Sequence, residues 1–337
     1  MKKNSLLCAL TISVFLSAGF FGCKKENGID NETIIRKPYG LYISSAEGEL
    51  LNTNDGETYK TLFPVDNFPA RSLVTGDTCI AWLKNNLFIS RNNGQNFNPE
   101  LTLGIPFTFS PWQNILLSAM DQHRIYVGST LGRGIYFTED NGKNWFEDSQ
   151  WDENLLGGKI TSFTQLKNGT IYAHSNNTDS IYKKDNKTDK WSWVEQKSGL
   201  PFNGTYYLSH YNNEVIATDY LGTNGVYHSA DGATWTAYTG LPTNHLIPAT
   251  VAPLDEVLLV GLESMGVYRL QNGVFVPSVQ GLDVNTTVWG IIGKDDIYKN
   301  GAKKHFIYLA TDKGLFRSED VGQNWIKVKE GNYVGVY

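Results

Sequence analysis

The chain has 337 residues, 41% hydrophobic and 19% charged, with 33 glycines and 13% aromatics. That length buries a large core, and that balance excludes a disordered or highly charged polymer. Acids outnumber bases by 34 to 29 and no basic block occurs, which argues against a nucleic-acid partner. In chain order, Lys2 and Lys3 precede an apolar run from Ser5 to Gly22, "SLLCALTISVFLSAGFFG". Its charge, length and small residues near the end read as a secretion signal over 1–22. A spanning helix is the alternative, since such a run is borderline for crossing a bilayer. The polar segment 23–37 then reads as a tether. Losing Lys2 and Lys3 with the signal leaves 27 bases against 34 acids, a net of −7.

Gly22 directly before Cys23, in "FFGC", resembles the lipobox of bacterial lipoproteins, in which the peptide is cut before a cysteine that then carries lipid. Phe20 departs from the usual aliphatic residue at its place. The resemblance implies a chain anchored through Cys23, not spanning. Lys24 stands where an aspartate would signal retention, so an outer-membrane site is implied, periplasmic or surface-exposed. Cys8 leaves with the signal and Cys23 is acylated, so Cys79 is left alone and no intrachain disulfide forms. "CIAW" puts Cys79 in an apolar strand, as a buried thiol.

After the tether no long helical period occurs. A short turn recurs instead: "NTNDGETY" (52–59), "SRNNGQNF" (90–97), "TEDNGKNW" (138–145), "KKDNKTDKW" (183–191), "SADGATW" (229–235), "RLQNGVF" (269–275) and "SEDVGQNW" (318–325). Neighbouring copies lie about 38–49 residues apart, the length of one four-stranded propeller blade. Each turn follows a short strand such as "GIYFTE", "GVYHSA" or "GLFRSE", itself preceded by an apolar strand such as "RIYVGS", "EVIATD" or "FIYLAT". A strand follows each turn, and a further one lies between copies, as in "TYYLSHY" and "TTVWGII". The expected fold over 38–337 is therefore an all-β, seven-bladed β-propeller of four-stranded antiparallel blades. In each turn the Asp or Asn accepts backbone N–H groups, the glycine takes the positive φ of a tight hairpin, and the aromatic packs between sheets. The fourth copy lacks the glycine and uses Asn186-Lys187 instead. The first unit is one strand short before its turn, and the chain ends on an unpaired strand, "NYVGVY" (332–337). That strand is expected to complete the first blade and remove its open edge.

These octets are similar to the Asp-box, or BNR-like, repeat S/T-x-D-x-G-x-x-W/F. It is found in sialidases, sortilin-type receptors, xyloglucanases and photosystem II assembly-factor-like propellers. The match is strong at Thr138–Trp145, Ser229–Trp235 and Ser318–Trp325 and weak at 183–191 and 269–275. In the sialidase-like families the working groove lies on the face opposite these turns. On that face fall the ligand-binding candidates Trp112, Arg133, Trp151, Tyr220 and His245, and the weak catalytic candidates Asp152, Glu153, Asp219, Glu263 and Asp312. Rings beside carboxylates suit a sugar or peptide groove. The alternatives are that Trp112 and Trp151 pack between blades and that Asp219 and Asp312 cap their own loops. A sialidase needs three arginines on its substrate carboxylate. Of the seven here, Arg91, Arg269, Arg317 and Arg124 sit at the turn end and Arg36 in the tether, leaving Arg71 and Arg133. Cleavage of another glycan requires only two opposed carboxylates. No HExxH, phosphate loop or close histidine pair occurs, so neither metal nor cofactor is expected. The leading expectation is a lipid-anchored, non-catalytic binding or scaffold module for a protein or glycan. The alternative is an Asp-box-type glycoside hydrolase or lyase.

Overall fold

The computed structural model describes residues 40–53, 55–63, 72–75, 80–83, 87–92, 97–99, 115–117, 124–128, 134–148, 160–175, 180–194, 198–202, 204–223, 225–251, 256–298 and 300–337. The expected leader and tether, with Cys23, and the thiol of Cys79 lie outside them. Among the described residues the secondary structure is all β, in small four-stranded antiparallel sheets that form a propeller.

The first sheet takes β1 (Leu41–Ser45), β2 (Leu50–Thr53) and β3 (Tyr59–Phe63). The second holds β4 (Ser72–Thr75), β5 (Ile80–Leu83), β6 (Leu87–Ser90) and β7 (Asn98–Pro99). The third holds β8 (Ile115–Leu117), β9 (Ile125–Gly128), β10 (Ile135–Thr138) and β11 (Phe146–Glu147). In the fourth are β12 (Ile160–Gln165), β13 (Ile171–Ser175), β14 (Ser180–Asp185) and β15 (Lys190–Trp193). The fifth comprises β16 (Tyr206–Tyr211), β17 (Glu214–Asp219), β18 (Val226–Ser229) and β19 (Thr236–Ala237). The sixth comprises β20 (Ala249–Val251), β21 (Leu259–Leu262), β22 (Gly266–Gln271) and β23 (Val274–Pro277). The seventh comprises β24 (Val288–Ile297), β25 (Lys303–Thr311), β26 (Gly314–Ser318) and β27 (Ile326–Lys329). Between β24 and β25 the turn is closed by Gly301 N–H on the Tyr298 carbonyl at 2.8 Å and Tyr298 N–H on the Ala302 carbonyl at 2.9 Å.

The last strand, β28 (Tyr333–Val336), returns to the first sheet, whose order is β28-β1-β2-β3. Ile43 pairs with Val336, and Tyr42 and Tyr337 exchange both backbone hydrogen bonds, at 3.0 and 2.9 Å. The expected closure on the first sheet is thus present. Its core is shared: Leu41 and Ile43 of β1 and Tyr333 and Val336 of β28 pack with Phe306, Tyr308 and Leu315 of the seventh sheet. Other sheets bury their faces in the same sequential way. Tyr206 and Leu208 pack back on Leu166 and Tyr172 of the fourth sheet, and Ile216 and Val226 forward on Leu258 and Val260 of the sixth. Strands such as β13, β17 and β21 are nearly continuous buried runs because both of their faces are covered, which β-branched and aromatic side chains favour, whereas the outer strands β11 and β19 are exposed.

The turn chemistry is local. Ser229 Oγ donates to Asp231 Oδ1 at 2.9 Å and accepts from Gly232 N–H at 2.9 Å. Asp231 Oδ1 in turn accepts the Ala233 and Thr234 amides at 2.8 and 2.9 Å, and Trp235 Nε1 donates to the Gly232 carbonyl at 2.9 Å. Thr53–Tyr59, Thr138–Trp145 and Ser318–Trp325 repeat the hydroxyl and carboxylate bonds of the clasp, while Trp325 Nε1 donates instead to the Ser278 carbonyl of the sheet before at 2.8 Å. Gly232 and Gly142 both have φ of 80°. Each also seats on the sheet before it: a Cβ on Gly142 would lie 1.9 Å from Ile89 Cδ1, and one on Gly232 2.6 Å from Tyr172 Cε1. Gly322 sits likewise over Leu259, and Gly56 over Tyr308. The clasp therefore closes one sheet and docks it on its neighbour.

The fourth and sixth copies differ. Lys184 pairs with Ile171 in the ladder, the place held by Thr138 opposite Ile125 and by Ser229 opposite Val215. The left-handed residue is Asp189, φ 55°, and not Asn186 or Lys187 as the sequence reading expected, because the hairpin is longer and turns one residue before Lys190. In place of a hydroxyl clasp, Lys184 Nζ meets Asp148 Oδ2 of the preceding sheet at 2.6 Å, and Trp191 Nε1 donates to that oxygen at 2.7 Å. The sixth copy is a two-residue hairpin, Asn272 and Gly273, with φ of 50° and 82°, and needs no acid.

The clasps carry a pH signature. Burial opposes ionisation of Asp55, but the Thr58 and Glu57 amides and the Thr53 hydroxyl outweigh it and hold its pKa at about 2. Asp231 is lowered by the Thr234 and Ala233 amides. Both acids titrate below their ordinary value in the folded chain. Their stabilisation is complete above the unfolded pKa and is lost as pH falls through the folded one. Asp231→Ala is expected to cost about 1–2 kcal/mol near neutrality, as a lost cap does. Urea titrations from pH 7 to pH 2 should show that deficit narrowing below about pH 4. A deficit constant across that range contradicts the assignment.

Candidate functional site

In the fifth, sixth and seventh sheets the loops after the second strand lie at the end opposite the clasps. There, backbone hydrogen bonds string the fifth, sixth and seventh sheets together. Tyr220, directly after β17, accepts Ile247 N–H at 2.9 Å, and Leu246 accepts Glu263 N–H at 3.0 Å. Ser264 N–H donates to Thr287 Oγ1 at 2.9 Å, and Thr287 N–H to Asp312 Oδ1 at 2.8 Å. The string brings Asp219, Tyr220, His245, Glu263 and Asp312 onto one rim. Trp112, Arg133, Trp151, Asp152 and Glu153 lie outside the described residues.

The three rim acids are in different states. Asp219 is fully buried; Oδ1 accepts Leu221 N–H at 3.2 Å and Oδ2 the Thr223 hydroxyl at 2.7 Å, so it ties its own turn. That turn needs Gly222, φ 70°, because a Cβ there would lie 1.7 Å from the His245 carbonyl oxygen. Asp312 is half-buried, with Oδ1 on the Thr287 amide and Oδ2 3.6 Å from Lys313 Nζ. Glu263 is half-buried, and among the described residues nothing hydrogen-bonds its carboxylate. The Tyr220 ring leans on Tyr207, centroids 5.5 Å apart and planes 58° apart. A carboxylate open to hydroxyl groups, an imidazole and a tyrosine pair are groups that hold a sugar.

At the clasp end Arg91 and Arg317 are occupied. Arg91 Nε and Nη2 donate to the Asn141 carbonyl of the next sheet at 3.1 and 2.9 Å, and Arg317 pairs with Glu319 at 2.8 Å. They are remote from the rim, as the sequence reading required.

A cavity of about 220 Å³ opens below the rim, lined by Tyr207, Thr218, Pro248, Trp289, Val334 and Tyr337 among others. The sequence reading missed it. These residues belong to strands β16, β17, β20, β24 and β28 and their margins, whose alternation reads as core. The available signal was Trp289 beside Gly290, a large ring at an inner strand next to a residue with no side chain.

No protein-family model matches the chain. A xyloglucanase from Paenibacillus sp is 26% identical over 291 residues, covering 77% of this chain and 25% of the relative. The chain thus spans about a quarter of that relative's length. Among solved structures, YCF48 from Cyanidioschyzon merolae superposes with a TM-score of 0.56 at 15% identity, covering 78% of this chain and 87% of that one. An ancestral GH74 enzyme superposes with a TM-score of 0.56 at 16% identity, covering 77% and 38%. At such identities the two structures establish the β-propeller fold alone.

Proposed function

We propose that this chain is a glycoside hydrolase of the xyloglucanase type, with the rim of Tyr220, His245, Glu263 and Asp312 taking the glycan. The observation that carries this is the sequence similarity to a xyloglucanase across 77% of the chain. It moves the weight from the scaffold reading, with which the sequence analysis began, to the hydrolase. The rim supports it: Glu263 has no competing hydrogen bond among the described residues, and Asp312 stands on the next sheet, held by one oxygen. Two carboxylates flanking a glycosidic bond are what such hydrolysis requires.

In the same reading the seven sheets are seven blades of one ring over 38–337, sealed by β28. The ring is carried at the cell envelope by lipid on Cys23 through the tether 23–37, after removal of 1–22.

The test is incubation of purified chain with xyloglucan while new reducing ends are measured. Glu263→Gln and Asp312→Asn should each lower the rate by about 10²-fold or more, with unchanged thermal unfolding. Full activity in both variants removes these residues from the reaction. Xyloglucan bound but intact at high protein concentration favours the second reading, a non-catalytic glycan-binding propeller. One observation favours that reading: Asp219 spends both oxygens on its own turn.

A further inference from the structure

Resting on the hydrolase reading, we propose that Thr287 is a positioning residue that holds Glu263 and Asp312 in fixed relation across the joint between the sixth and seventh sheets. The rim has a common main-chain frame. In the first, fifth, sixth and seventh sheets, the residue after the second strand donates its N–H to a carbonyl just ahead of the inner strand. The pairs are Ala46 to Asn332 at 2.9 Å, Tyr220 to Thr205 at 2.9 Å, Glu263 to Leu246 at 3.0 Å and Asp312 to Thr287 at 3.2 Å. Each of these bonds stays within one sheet. Between the fifth and sixth sheets the crossing bond is also main chain, Ile247 N–H on the Tyr220 carbonyl at 2.9 Å. Between the sixth and seventh it falls to a side chain. Thr287 Oγ1 accepts Ser264 N–H at 2.9 Å, while Thr287 N–H donates to Asp312 Oδ1 at 2.8 Å. One residue therefore grips the chain next to Glu263 and the carboxylate of Asp312 itself.

Two features give this grip its function. Thr287 is 5% exposed, so water competes poorly for its hydroxyl and the bond is strengthened by its surroundings. Ser264 is exposed and left-handed, with φ of 56°. A non-glycine residue there is strained and persists only where its surroundings over-determine it, and such strain gathers at working sites. The Thr287 hydroxyl supplies the hold on Ser264. The two halves of the grip are separable, because both bonds to Asp312 run through the Thr287 main chain and the bond to Ser264 runs through its side chain. Losing the hydroxyl frees the Glu263 loop on one side and leaves Asp312 in place. In a reaction shared by two acids, a misplacement of about 1 Å costs about 10²-fold in rate.

Release of reducing ends from xyloglucan by the full chain tests the role, with urea unfolding run on every variant. Thr287→Val should lower kcat about tenfold or more and leave KM within about twofold, because placement of the acids changes and the binding surface does not. Thr287→Ser keeps the hydroxyl and should return kcat to within about twofold of the wild type. Thr287→Ala takes the place of valine if that variant does not fold. Thr286→Val separates positioning from stability. Thr286 is 1% exposed and its Oγ1 donates to the Asp283 carbonyl of its own turn at 2.6 Å, so this variant should lower the urea midpoint and keep kcat. A wild type that releases no reducing ends removes the hydrolase reading and the role of Thr287 with it. A wild type that hydrolyses xyloglucan, beside a folded Thr287→Val of equal kcat or a Thr286→Val of equally lowered kcat, overturns the role of Thr287 alone.

Discussion

Deleting residues 332–337 is expected to abolish cooperative folding, not to trim a tail. The segment supplies β28, and with it Tyr333 and Val336, which are 4% and 6% exposed. Their burial contributes about 1.5–3 kcal/mol each, and the hydrogen bonds to β1 about 1 kcal/mol each. That sum approaches the whole stability of an ordinary domain, about 5–15 kcal/mol. It also leaves β1 as an open edge and uncovers Phe306, Tyr308 and Leu315 of the seventh sheet. Circular dichroism melts and size exclusion check the outcome. Val336→Asp should destabilise in the same direction with the chain length kept. A truncated protein that melts cooperatively within a few degrees of the full chain would show that the first sheet stands without β28.

The second large effect is expected at Lys184. Its ammonium and the Asp148 carboxylate are each 4% exposed and 2.6 Å apart. Burial works against the charged lysine, yet the Asp148 hydrogen bond and the Tyr126 and Asp148 charges outweigh it and raise its pKa. Lys184→Met strands a buried carboxylate whose remaining donor among the described residues is Trp191 Nε1. The expected cost is about 3–5 kcal/mol, read as a lowered urea midpoint. Adding Asp148→Leu should recover most of the loss, because an apolar pair no longer pays for desolvating a charge. If the double variant is no more stable than Lys184→Met alone, the pair is not what holds this joint.

The clasps were legible because their chemistry is contained in eight residues. Ser229, Asp231, Gly232 and Trp235 satisfy one another, so spacing alone identifies the turn. The rim was legible by counting strands: once β17, β21 and β25 are second strands, Tyr220, Glu263 and Asp312 must share an end. Lys184 was not legible as a joint, since Asp148 lies 36 positions away on another sheet and nothing in "KKDN" marks which lysine is buried. Nor was Asp219 separable from Glu263, because turn capping depends on Leu221 and Thr223 folding back. Trp289 was hidden for a related reason. A strand facing a cavity and a strand facing core share one alternation, and only the neighbouring inner strands distinguish them.

The seats of Gly56, Gly142, Gly232 and Gly322 have a consequence for how such a chain changes size. Each glycine rests on the sheet before it, on Tyr308, Ile89, Tyr172 and Leu259. A unit therefore carries one half of the joint behind it and one half of the joint ahead. At these four joints a whole unit brings both halves with it, whereas gaining or losing part of one leaves a glycine with nothing beneath it. Heredity acting on this architecture is thus confined to whole-number steps.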